Sequence, residues 1–163
     1  MTFTQSNDET VKQSVKALQG LNVDDQLGLF YFIYKEMGSS ITPAAPGAST
    51  ASADIAEGLF NQVKDMSHEE QLQLQRDLIN KADTEYTRMY GSMGETTKLL
   101  FWYRLSQGMD SGTIIPMPSD YSLSSQAEEL LNKVKEIEFQ QQITLFRDYV
   151  APMGAEPKPG SGI

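Results

Sequence analysis

Apolar positions recur three and four residues apart in almost every segment of this chain. No stretch alternates apolar and polar residues as a half-buried strand does. Val11, Val15 and Leu18 follow Asn7-Asp8, a pair able to cap, and predict a first helix. Asn22 precedes a long second helix to about Met37, with Gly38 placed to end it. Residues 39–51, made of Ser, Thr, Ala, Pro, Gly and one Ile, read as a connecting loop. Ile55, Leu59, Val63 and Met66 mark the next helix, and Ser67-His68-Glu69-Glu70 is a capping box for another that runs to about Ala82. A short helix over about 84–90 is broken by Gly91 and Gly94, and residues 95–110 form a longer one before the proline loop "SGTIIPMPSDY". Ala127, Leu130, Leu131, Val134 and Ile137 make one further stripe; Phe139, Ile143, Phe146 and Val150 make the last. The prediction is an all-α domain over 1–154 with seven or eight helices, and a disordered tail over 155–163.

Two of these helices exceed what a simple bundle requires. On a helical wheel, Leu27, Leu29, Phe30, Tyr31, Ile33, Tyr34 and Met37 cover an arc of about 200°, against about 100° for an ordinary surface helix. In "KLLFWYRLSQGM" the apolar residues run all the way round: Trp102, Leu105 and Met109 lie on one face, Leu99 and Tyr103 on the next. Both helices could simply form the middle layer of an α domain. A second reading starts from residue type, because Tyr31, Tyr34, Trp102 and Tyr103 are flat rings with polar tips, suited to an extended π ligand. Gln75 interrupts the stripe between Leu72 and Ile79; it is either an amide satisfied at the rim of the core or a group beside such a ligand. Met37, Met66, Met109 and Met117 are either core or filler around an irregular guest.

Charge and composition remove several classes of function. The formal net charge of −9, from 22 acidic and 13 basic residues, argues against binding nucleic acid or an anionic membrane. No apolar run approaches the roughly 18 residues of a membrane span, and the N-terminus lacks the basic start and apolar core of a secretory signal. With no cysteine, disulfide and thiolate chemistry are absent, in keeping with a soluble cytoplasmic protein. A single histidine, His68, in the first turn of a helix, supports neither a His-rich metal site nor a catalytic triad, so the sequence reads as non-enzymatic.

The blocks "DDQLGLFYFIYKEMG…ITPAAPGA", "KLLFWYRL…GMDSGTIIPMPSDYSLS" and "QQQITLFRDYV…MG" resemble, in order and spacing, the N-terminal domain of the cyanobacterial orange carotenoid protein. The resemblance covers about residues 18–154 and implies two interleaved four-helix bundles with a carotenoid threaded between them. The implied cofactor is a ketocarotenoid such as canthaxanthin or echinenone. Tyr34 and Trp102 match the aromatic pair that clamps one end ring, and Tyr31 stands where the family usually has Trp. Leu27, Phe30, Gly47, Leu99, Tyr103, Met109 and Met117 match tunnel-lining positions, Gln75 replaces a usual Met, and Ile143, Thr144 and Val150 match contacts from the last helix. Arg147 matches an arginine that meets the C-terminal domain and then the phycobilisome; the plain alternative is a solvated arginine. The implied function is photoprotection, by quenching singlet oxygen and phycobilisome excitation, in a monomer or weak homodimer in the cytoplasm or at the phycobilisome and thylakoid. The chain stops where the family's linker begins, so the expected form is constitutive rather than photoswitched. A carrier exchanging pigment with a C-terminal-domain homologue and a pigment-free helical adaptor remain alternatives.

Overall fold

Eight α-helices and no strand occur among the described residues, 2–41, 50–118 and 120–155 of the computed structural model. They are α1 (Thr2–Gln19), α2 (Val23–Ile41), α3 (Thr50–Lys64), α4 (His68–Asn80), α5 (Glu85–Gly91), α6 (Glu95–Ser111), α7 (Ser125–Glu136) and α8 (Phe139–Val150). Side-chain caps fix several of the starts. The Asn22 side chain accepts from the Asp25 amide at 2.8 Å. Ser67 and Glu70 form the reciprocal box expected at α4, Thr84 and Thr87 form one at α5, and Ser124 caps α7.

Several expectations are corrected. α1 begins at Thr2, ahead of Asn7-Asp8, in a stretch with no Gly or Pro to interrupt it. α2 passes through Gly38 and ends at Ile41. One interior glycine costs only about 1 kcal/mol, too little to stop a helix. Ile55 and Phe139 were expected in apolar stripes, yet they face solvent at 56% and 40% exposure. α3 buries Ala56, Leu59, Phe60 and Val63 instead, with the large Phe60 ring taking the inward place. Gly47 and the tail beyond 155 lie outside the described residues, as does the side chain of Met37.

α3 packs on α5 and α6, and α4 on α5; α1 packs on α7 and α8, and α2 on α7. This gives two four-helix bundles, one continuous in sequence (α3–α6) and one assembled from both ends of the chain (α1, α2, α7, α8). They interlock through α2 against α4 and α6, and α6 against α8. The doubly apolar helices, one from each bundle, both take part in the contact between the bundles.

Buried polar pins fix this arrangement. Tyr149 donates to Gln26 Oε1 at 2.7 Å, and Gln26 Nε2 donates to the Leu21 carbonyl at 2.8 Å, tying α8 to the α1–α2 turn. Lys98 Nζ donates to the Ala151 carbonyl at 2.6 Å, joining α6 to the end of α8. The chain then crosses α5: the Gly154 amide donates to the Leu78 carbonyl and the Ala155 amide to that of Thr87. A Cβ on Gly91 would collide with the Ala155 carbonyl oxygen, so only glycine permits this crossing.

Candidate functional site

The aromatic residues of α2 and α6 sort into two groups. Tyr31 and Tyr34 stack at 6.3 Å between ring centroids, and Tyr34 meets Tyr103 edge-on at 5.4 Å. Phe30 instead contacts Trp102 at 5.6 Å, Tyr149 at 6.0 Å and Phe146 at 6.1 Å. The groups adjoin where Phe30, Ile33 and Tyr34 face Leu99, Tyr103 and Phe146 around a narrow apolar seam with about 10 Å³ of open space. Burial, then the neighbouring Tyr103, pushes the Tyr34 phenol up, so this ring stays neutral. Tyr31 sits at the edge, its hydroxyl 3.4 Å from the Asp110 carboxylate, which also binds Lys35 Nζ at 2.9 Å.

Trp102 is only 3% exposed and belongs to the core. Its Nε1–H donates to Tyr90 Oη at 3.0 Å, and Tyr90 donates onward to the Val150 carbonyl at 2.7 Å. The indole donor is thus committed within the protein. Among the described residues no ring contact pairs Trp102 with Tyr34; Trp102 touches Phe30, and Tyr34 touches Tyr31 and Tyr103.

A second cavity of about 150 Å³ opens beyond the N-terminal half of α2. Leu27, Gly28, Leu72, Gln75 and Met109 supply the helical walls, and Ile115, Met117 and Tyr121 close it from the α6–α7 connection. Gln71 holds that connection in place. Its Oε1 accepts from the Ile115 amide at 2.7 Å, and its Nε2 donates to the carbonyls of Val63 at 3.1 Å and Thr113 at 3.3 Å. Tyr121 donates to Asp25 at 2.6 Å. That bond holds the Asp25 carboxyl below its ordinary value against the opposing effect of burial, while burial and Asp25 raise Tyr121. A Cβ on Gly28 would lie 2.8 Å from the Tyr121 ring, so glycine lets the ring lie against α2. Asp24 and Arg76 pair at the edge of the cavity at 3.1 Å. Gln75 is 3% exposed, and its Nε2 has no hydrogen-bond partner among the described residues.

Of the predicted site residues, Phe30, Tyr34, Leu99 and Tyr103 meet at the seam, and Leu27, Gln75, Met109 and Met117 at the cavity. Ile143 and Val150 are core residues of α8, and Thr144 is exposed, its hydroxyl donating to the Gln140 carbonyl; none lines either space. Arg147 is half-buried rather than fully solvated, with an Nε that has no partner among the described residues. Leu72, Ile115, Tyr121 and Phe146 line the two spaces without having been foreseen there. Leu72 belongs to the stripe that Gln75 interrupts, whereas Ile115 and Tyr121 lie in a loop with no periodicity to reveal them. Among the described residues no acidic or histidine cluster could hold a metal, and no helix is long and apolar enough to cross a membrane.

Comparison with known proteins supplies the context for this seam. The family described as orange carotenoid protein, N-terminal, matches residues 4–156. An orange carotenoid-binding domain-containing protein of Nostoc sp. is 47% identical over 149 residues, covering 91% of this chain and 86% of that protein. The orange carotenoid-binding protein of Synechocystis sp. is 40% identical over 90% of this chain, which spans 45% of the longer protein. Among solved structures, the red carotenoid protein of Anabaena (Nostoc) sp. binding canthaxanthin superposes with a TM-score of 0.81 at 61% identity, over 90% of this chain and 99% of that one. With the family match spanning nearly all of the interlocked helices, the chain belongs to the orange carotenoid protein N-terminal family.

Proposed function

We propose that this chain binds one carotenoid, a ketocarotenoid such as canthaxanthin, along the α2–α6 seam, and serves in photoprotection. The observation that carries the reading is the apolar, aromatic contact between α2 and α6, flanked by a largely apolar cavity into whose wall Gln75 brings an unpartnered amide nitrogen. The relative solved with canthaxanthin supports it. When bound, the conjugated polyene supplies light absorption and the conversion of excitation to heat.

The protein's own residues solubilise and orient the guest. Phe30, Tyr34, Leu99 and Tyr103 offer ring faces and edges to a polyene. Leu27, Met109 and Met117 surround an end ring; a cavity of about 150 Å³ is known to admit a six-membered carbon ring. The seam is too tight for the rest of the chain as it stands, so loading parts α2 from α6. Trp102 backs Phe30 and fixes that wall, acting on the guest through its neighbour.

The test is expression in a host that makes canthaxanthin. The purified protein is expected to be coloured, with a band between about 450 and 550 nm and canthaxanthin in its extract. Colourless protein would retire the reading. A double Tyr34→Ala, Tyr103→Ala variant should lose most of its pigment while remaining helical by circular dichroism. Unchanged loading would move the site away from the seam.

A further inference from the structure

Two glutamines one turn apart on α4 meet opposite fates. Gln71 is 1% exposed, and both ends of its amide are used, on Val63, Thr113 and Ile115. It is a structural amide. Gln75, 3% exposed, lines the cavity among Leu27, Leu72, Met109, Ile115 and Met117, and its Nε2 has no acceptor there. A buried amide donor left without a partner is destabilising, whereas an apolar residue of similar length, such as Met, would fill the same wall without that penalty. The fold itself gives the amide no role.

Resting on the carotenoid reading above, we propose that Gln75 is a specificity residue that donates from Nε2 to an oxygen on the end ring of the bound carotenoid. The cavity has room for that ring, and its other polar side chains are engaged elsewhere, Asp24 with Arg76 and Tyr121 with Asp25. A carbonyl oxygen on the ring satisfies the donor; a hydrocarbon ring leaves it unpaired and still dehydrated. Sites built to hydrogen-bond a guest reject the analogue lacking the partner atom for this reason. The chain therefore discriminates for oxygenated rings at this end of the seam, through a group unrelated to the aromatic contacts that hold the polyene.

The experiment loads full-length wild type, Gln75→Met and Gln75→Leu from an equal mixture of canthaxanthin and β-carotene, and extracts the bound pigments. Wild type should favour canthaxanthin by roughly five- to tenfold more than the Met variant does. Resonance Raman on the canthaxanthin form should show the ring carbonyl stretch at lower frequency in wild type than in Gln75→Met. The pigment-free Met variant should melt at or above the wild-type temperature, since an unpaired buried donor has been removed. An unchanged pigment ratio with an unchanged carbonyl band overturns the proposal while leaving carotenoid binding intact. A lower melting temperature in both pigment-free variants also overturns it, by showing that Gln75 has a structural partner. Failure of wild type and both variants to take up either pigment overturns the carotenoid reading as well.

Discussion

Trp102 shows how a residue's type is legible while its role is not. Its bulk and its place on a doubly apolar helix are plain in the sequence. The groups that hold it are Tyr90, on another helix, and the Val150 carbonyl, at the far end of the chain. No local pattern records such contacts. The consequence is energetic: Trp102→Ala should destabilise the pigment-free protein by about 3–5 kcal/mol, the range for truncating a buried large ring. Trp102→Phe keeps most of the volume and loses the indole N–H, while Tyr90 keeps its own bond to Val150; it should cost about 1 kcal/mol beyond the ring mismatch. Urea denaturation of the three proteins checks the order, and equal midpoints would show that Trp102 is not a core ring. Tyr34→Ala removes a half-buried ring from the seam and should move pigment loading more than it moves the urea midpoint. Gln75 lies at the opposite extreme, since an amide within an apolar stripe is visible in the sequence, and only the three-dimensional neighbourhood reveals that its Nε2 has no partner among the described residues.

At the scale of elements, helix existence follows directly from spacing and caps, because those are interactions within a few residues. The docking of the α6–α7 connection does not, because it depends on Gln71 and Gly28, which look like ordinary helix residues. Gly28→Ala tests this with opposing effects. Alanine favours the helix by about 1 kcal/mol over glycine. Its Cβ would press on the Tyr121 ring and disturb the 2.6 Å bond to Asp25, and a hydrogen bond to a charged group contributes about 1.5–3 kcal/mol. The second effect is the larger, so Gly28→Ala should destabilise by about 1 kcal/mol; in a Tyr121→Ala background it should stabilise instead. The absence of a sign change would break the link between the two residues. The same bond sets a pH dependence. Asp25 is held below its ordinary 3.8, so its contribution is present above that value and lost as pH falls further, through the lowered folded value. Tyr121 is raised above its ordinary 10.0, so its contribution is present below that pH and lost as pH rises through the raised folded value. The stability difference between wild type and Tyr121→Phe should therefore be flat between 3.8 and 10.0 and shrink outside that window.

For the whole molecule, the chain's two ends close one bundle around the other, and α2 and α6 belong to the contact between them. The two-sided apolar faces of these helices announce that each is buried twice; they do not say which helices cover them, because the partners are set by contacts between distant segments. A rod seated in the seam touches both bundles at once, so its binding energy opposes their separation. By linkage, pigment at 100 times its dissociation constant should add about 2.7 kcal/mol to global stability. Its local signature should be uneven. Seating the polyene parts α2 from α6 and fills the space between them, so brief openings of those helices and of the Gln71-held connection become rarer. Amides of α2, α6 and residues 113–115 should then gain the most protection in short hydrogen-exchange pulses, where local opening dominates global unfolding. α1 and α7, neither of which lines the seam, should gain the least. Exchange followed by mass spectrometry on pigment-free and pigment-loaded protein measures this directly. Protection centred on α1 and α7 would place the pigment outside the seam, and uniform protection would mean that binding stabilises the fold without bridging its two bundles.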